Sequence, residues 1–172
     1  MLIQADTGQE VADAITTLTD TMAVKGLVLD LRNNPGGVLQ AAVALSDLFL
    51  TEGLIVYTEG RLDNAARQYN ATEAEMLTGV PLVILVNEGS ASASEIVAGA
   101  LQDQGRALVM GTQTFGKGSV QTVLQLTSDK AIKLTTALYY TPNGRSIQAE
   151  GIVPDLWVDR STVTKIKSNP FR

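Results

Sequence analysis

Two short stretches hold residue types at spacings that could do chemistry: "NEGSASASE", Asn87 to Glu95, and "GTQTFGKGSVQ", Gly111 to Gln121. The first crowds three serines between an apolar run and a helical pattern. A serine at such a junction exposes its hydroxyl, while backbone N–H groups of the first helical turn face any oxyanion formed beside it. Ser90 and Ser94, taken singly, read more simply as helix caps. The second stretch holds one lysine between glycines. Gly111, Gly116 and Lys117 fit the G-x-x-x-x-G-K opening of a phosphate-binding loop, which would make the ligand a nucleotide. Lys117 could instead accept a proton from a nucleophile elsewhere in the chain, or be an ordinary surface lysine in a turn.

The remaining composition narrows these choices. The 172 residues include no cysteine and no histidine. Thiol nucleophiles, zinc knuckles, histidine-based metal sites and Ser-His-Asp triads are therefore excluded. Hydrolysis would need another base, and neither a G-x-S-x-G elbow nor an S-x-x-K motif is present. A Ser-Lys pair remains. A free lysine amine titrates near about 10.4, but an apolar pocket can bring it to roughly 7 to 8, where it accepts a proton. Phe115 and the flanking glycines suit a lysine that enters such a pocket. The nucleotide reading is weaker, because Gly118 stands where a phosphate loop carries Ser or Thr, and "SVQTVLQL" reads as a strand rather than a helix. Asp30 resembles the metal-binding aspartate of such enzymes, but strands ending in Asp are common.

A formal net charge of −5, with no run of Lys or Arg, argues against nucleic acid as a partner. The length and the 45% hydrophobic content suit one domain with a substantial core. No apolar run approaches about 20 residues, and "MLIQADTGQE" lacks the basic head of an export signal, so neither a membrane span nor a signal peptide is expected in this sequence. The absence of cysteine leaves the redox compartment open.

The elements that must position these residues follow from periodicity. "TGQE", Thr7 to Glu10, has capping-box spacing ahead of a stripe formed by Val11, Ile15, Leu18 and Met22, predicting a helix to about Met22. "GLVLDL" and "PLVILVN" are apolar without alternation, as expected of strands covered on both faces. Helical spacing returns over Val38 to Phe49 and in "ASEIVAGALQDQG", with Gly105 as a stop. "LIVYT" is another strand, and "RLDNAARQYNATEAEM" an excursion or weak edge strand. Its "NAT" matches a glycosylation acceptor by chance. The alternation of strand and helix predicts parallel pairing with helices over the sheet. "VQTVLQLT" and "AIKLTTALYYT" around "SDK" form a hairpin, and "IVPDLWV" a tail strand. The last residues, "KIKSNPFR", are expected to fray.

"GLVLDLRNNPGG", "LVNEGSASASEIVAGALQDQGRALVMGTQTFGKGSVQ" and "TTALYYTPNGRSIQAEGIVPD" together resemble, in order, the core blocks of the carboxy-terminal processing peptidases, or tail-specific proteases. The resemblance covers nearly all of Gly26 to Asp155. It implies an α/β fold of the ClpP/crotonase kind, with a mostly parallel sheet flanked by helices plus a C-terminal β-hairpin. By position it implies Ser92 as nucleophile, Lys117 as its base and Gln121 as the residue that orients the lysine. The backbone N–H groups of Ala93 and of Gly37, with Gly36 as the alternative, would form the oxyanion hole, and Asp103 would lend structural support. It implies cleavage of protein or peptide substrates near their C-termini through an acyl-enzyme, without metal or organic cofactor. It also leaves room for an adaptor protein or a homo-oligomer. An extracytoplasmic setting such as the periplasm is implied too. Members carry an export signal, a helical segment and a PDZ domain ahead of this core, so residues 1–172 read as a Ser-Lys peptidase core without its PDZ domain. The rival within the fold is a non-catalytic module like the retinoid-binding relatives.

Overall fold

The computed structural model describes residues 2–61 and 66–159. In chain order these form α1 (Thr7–Thr21), β1 (Leu27–Asp30), α2 (Leu39–Asp47), β2 (Leu54–Gly60), β3 (Arg67–Asn70) and β4 (Leu82–Val86). They continue through α3 (Ala93–Asp103), β5 (Ala107–Gly111), β6 (Ser119–Gln125), β7 (Ala131–Tyr140) and β8 (Leu156–Trp157). The final "KIKSNPFR" lies outside the described residues.

The strands divide into two sheets. One is parallel throughout, in the order β1-β4-β5-β8, and the other antiparallel, in the order β3-β2-β7-β6. The parallel sheet and the β6–β7 hairpin are those expected from sequence. The second sheet is larger than a hairpin, because β2 leaves the parallel series and pairs antiparallel with both β7 and β3. Isolated "LIVYT" reads alike in either setting, since periodicity reports burial and not strand direction.

A second difference concerns the faces of the parallel sheet. Val28, Val83 and Leu108 stand in register across three strands, yet Val28 is 60% exposed and Leu108 44%. The partners facing the other way, Leu82, Ile84, Val86 and Val109, are buried in the main core. One face therefore meets the helices and the other meets solvent among the described residues. "GLVLDL" looks doubly covered only because its solvent-facing positions are also apolar.

Local chemistry sets the helix ends. α1 begins one residue earlier than its capping-box spacing suggests, with Asp6 as N-cap, because the Thr7 hydroxyl accepts the Gln4 N–H at 2.9 Å. α3 is buried from Ala93 to Leu101 and lies close against strands of both sheets, β2 of one and β5 of the other. It stops at Gly105, whose φ of +65° suits the left-handed turn closed by Arg106 N–H on the Leu101 carbonyl at 2.9 Å. A helix so enclosed fixes whatever stands at its first residue.

Replacing fully buried Leu101 by alanine is expected to cost about 2–5 kcal/mol of unfolding free energy. Val28→Thr, on the open face, should change it by no more than about 0.5 kcal/mol. Urea titration of both variants checks the contrast.

Candidate active site

Three loops meet at the start of α3. The chain leaves β4 at Val86 and turns through residues 87–92. Asn87 organises the turn: its side-chain oxygen accepts the Gly89 N–H at 3.0 Å and the Asn33 N–H at 2.8 Å, tying it to the "RNNPGG" loop. Ser90 donates to the Leu31 carbonyl at 2.7 Å, and Ser94 donates to the Asn34 carbonyl at 3.0 Å. These two serines stitch loops together instead of capping a helix, leaving Ser92 as the residue at the N-cap.

Ser92 has φ +55° and ψ −115°, a backbone conformation that side-chain-bearing residues rarely adopt and that costs on the order of 1–3 kcal/mol. Such a turn must be held by its surroundings. Gly36, at φ +90°, lies directly against it, and a Cβ added there would come within 2.6 Å of the Ala93 nitrogen and 2.9 Å of the Ser92 Cβ. Only glycine permits that approach. The Asn34 side chain accepts the Gly36 N–H at 3.0 Å. By contrast, the N–H groups of Gly37 and Ala93 donate no hydrogen bond among the described residues.

The third loop carries Lys117, and a residue the sequence reading passed over joins it to Ser92. Glu95 is 0% exposed, yet its carboxylate is fully engaged. Oε2 accepts the Ser92 N–H at 2.7 Å and the Lys117 N–H at 2.9 Å. Oε1 accepts the Gly116 N–H and the Thr114 hydroxyl, each at 2.6 Å. Because one oxygen serves both, the Ser92 and Lys117 nitrogens can be no farther apart than the sum of those two contacts. The signal was available in "SASE", whose spacing lets Glu95 reach back to the residue that starts the helix. Glu95 also interrupts an otherwise apolar helical run.

Glycines set the rest of the lysine turn. A Cβ on Gly118 would fall 2.3 Å from the Gln148 nitrogen, and Gly116 backs onto Ala149. This explains why glycine follows the lysine where a phosphate loop would have Ser or Thr. The chain then enters β6 and not a helix, so the nucleotide reading loses both of its structural requirements. Asp30, its proposed metal ligand, is instead paired with Arg32 at 2.6 Å, whose hydrogen bond holds the carboxyl below the usual carboxylate range.

The other expected site residues fall in different places. Lys117 is exposed, in contrast to the apolar pocket expected from sequence, because its turn lies on the surface with exposed Phe115 two residues before it. Gln121 lies on β6, just after a register shift, and its exposed side chain makes no hydrogen bond to Lys117. Asp103 sits at the far end of α3. There it pairs with Arg145 and accepts the Asn143 N–H at 2.9 Å, fixing the turn after β7.

The site thus consists of a strained serine at the start of a buried helix, set against a glycine loop on an α/β core. The chain belongs to peptidase family S41, whose family model, "Peptidase family S41", matches residues 2–158. It is 53% identical over 147 residues to a carboxy-terminal-processing protease of Bartonella bacilliformis, spanning 86% of this chain and 34% of that protein. It is 44% identical over 160 residues to a carboxyl-terminal-processing protease of a Synechocystis species, spanning 93% of this chain and 37% of that one. The structure superposes on the photosystem II D1 C-terminal processing protease with a TM-score of 0.83 and 38% identity, covering 92% of this chain and 40% of that one. The chain thus spans about a third of the length of these curated relatives.

Glu95→Gln replaces one acceptor oxygen by an NH2 group that cannot receive the N–H or O–H donors. Each buried donor left unpaired costs about 1–3 kcal/mol. The variant should show a lower urea midpoint and faster amide exchange at Ser92, Gly116 and Lys117 than at the remote turn held by Asp103, measured by NMR.

Proposed function

We propose that the chain is the catalytic core of a serine peptidase in which Ser92 is the nucleophile and Lys117 the general base, acting on protein substrates near their C-termini. The observation that supports this most strongly is the shared Glu95 oxygen, which brings the Ser92 turn and the lysine turn together. Histidine is absent from the sequence, so a serine nucleophile must draw on another base.

Lys117 Nζ takes the Ser92 Oγ proton as Oγ attacks the scissile carbonyl carbon. The carbonyl oxygen becomes an oxyanion and accepts the unused N–H groups of Gly37 and Ala93, a type of contact worth about 10²–10³ in rate per donor. Collapse expels the amine, which takes its proton from the Lys117 ammonium, and leaves an acyl ester on Ser92. Water then loses a proton to Lys117 and attacks the ester, and the second collapse returns the proton to Ser92.

The exposure of Lys117 fits this sequence if the substrate supplies the cover. A peptide lying across the turn strips water from the amine, and desolvation favours the neutral form that can accept a proton. Gln121 and Asp103 take lesser parts: Gln121 lies near enough along the chain to meet the lysine once substrate is bound, and Asp103 supports the fold. An extracytoplasmic setting follows from the same reading.

Lys117→Ala is expected to lower kcat on an unstructured protein by about 10²–10⁴. Ser92→Ala should lower it at least as far, with circular dichroism and melting temperature unchanged. Lys117→Arg should not restore activity, because guanidinium cannot give up its proton. Equal turnover by wild type, Ser92→Ala and Lys117→Ala would favour a non-catalytic module on the same fold.

A further inference from the structure

A cavity of about 440 Å³ lies between the start of α2 and strands of the antiparallel sheet. Its apolar walls come from Leu39, Val120, Leu124 and Ala137, with Tyr69 on the β3 side. Two of these walls continue the candidate active site. Leu39 opens α2 with only Val38 between it and the Gly36–Gly37 turn, and Val120 follows the Lys117 turn onto β6.

Arg67, on β3, carries the one formal charge among the lining residues. Its backbone N–H is held by the Thr58 hydroxyl at 3.1 Å, which fixes where the side chain departs. Its guanidinium has no carboxylate partner among the described residues, whereas Arg32, Arg106 and Arg145 each have one. A guanidinium without a carboxylate partner among the described residues, lining a mostly apolar cavity in a chain of net charge −5, makes that cavity complementary to an anion. Arginine presents a planar fork that matches a carboxylate.

We infer that this cavity binds an apolar side chain of the substrate and that Arg67 selects substrates carrying a carboxylate close to that side chain. The inference rests on the peptidase reading above and adds to it a specificity-determining residue. The carboxylate has two sources, the C-terminus of the substrate or an Asp or Glu side chain. A charge placed only to keep edge strand β3 from pairing with other chains would give no such preference.

The test uses the Ser92→Ala chain, which holds peptide without turnover, and fluorescence anisotropy with labelled peptides. Each peptide carries one leucine, with a carboxylate one, two or three residues away. One set ends in a free carboxylate, a second is amidated, and a third is amidated but contains Asp. At the best spacing, a carboxylate peptide should bind about threefold to fivefold tighter than its neutral counterpart, the range of a solvent-accessible ion pair. Arg67→Gln should erase that difference, Arg67→Lys should keep part of it, and added salt should shrink it. Preference for the first set alone assigns the ligand as a C-terminus; preference for the third alone assigns an acidic side chain.

Equal binding of all three sets, no binding of any, or a preference that survives Arg67→Gln would overturn the inference. Kinetics separate its failure from that of the peptidase reading. With Ser92 intact, Arg67→Gln should raise KM for the carboxylate peptide and leave kcat and the KM of the amide unchanged. An unchanged KM refutes the role of Arg67 alone, whereas turnover by Ser92→Ala refutes the nucleophile.

Discussion

The buried carboxylate of Glu95 is the constraint on which the site depends. A charge removed from water is costly unless hydrogen bonds replace its hydration, and here four donors from two separated segments converge on two oxygens. Neither segment alone could satisfy it. The strained Ser92 turn and the glycine-rich Lys117 turn each provide donors the other lacks, so the carboxylate is neutralised by dipoles only when both are in place. The cost of the unusual Ser92 backbone is offset by the same contacts.

The fold serves this arrangement by keeping one helix immobile. α3 is enclosed from Ala93 to Leu101 and lies close against both sheets, so its first turn cannot shift without disturbing the core. Loops after β1, β4 and β5, at the carboxyl ends of neighbouring parallel strands, then meet around it. Open α/β sheets commonly place their sites at this end. Glycine is required where backbones close in, at Gly36 against Ala93 and at Gly118 against Gln148. The opposite face of the parallel sheet remains apolar and open, and this chain spans only about a third of its curated relatives.

Much of this was legible in the residues themselves. The parallel strands, the helix that follows "SASAS", its stop at Gly105 and the β6–β7 hairpin follow from periodicity and turn chemistry. The replacement of Ser or Thr by Gly118 already argued against a phosphate loop. What escaped was tertiary in origin. Nothing in "LIVYT" states that β2 pairs with β7 rather than β4, and nothing in "GLVLDL" distinguishes an apolar face that is covered from one that is not. Glu95 was hidden because an acidic residue in a helix's first turn is ordinary. Its meaning depends on donors arriving from residues 114–117. The exposure of Lys117 could not be read either, since a glycine turn leads a side chain as easily outward as inward.

Geometry brings the two turns together, and chemistry must show that they act together. The most direct measurement is covalent trapping with a peptidyl phosphonate, followed by peptide mapping by mass spectrometry and by the rate of adduct formation. Joint action of the two groups predicts a single adduct on Ser92 that forms far more slowly in Lys117→Ala and in Glu95→Gln. An adduct on another residue, or labelling of Ser92 at the same rate without the lysine, would contradict it.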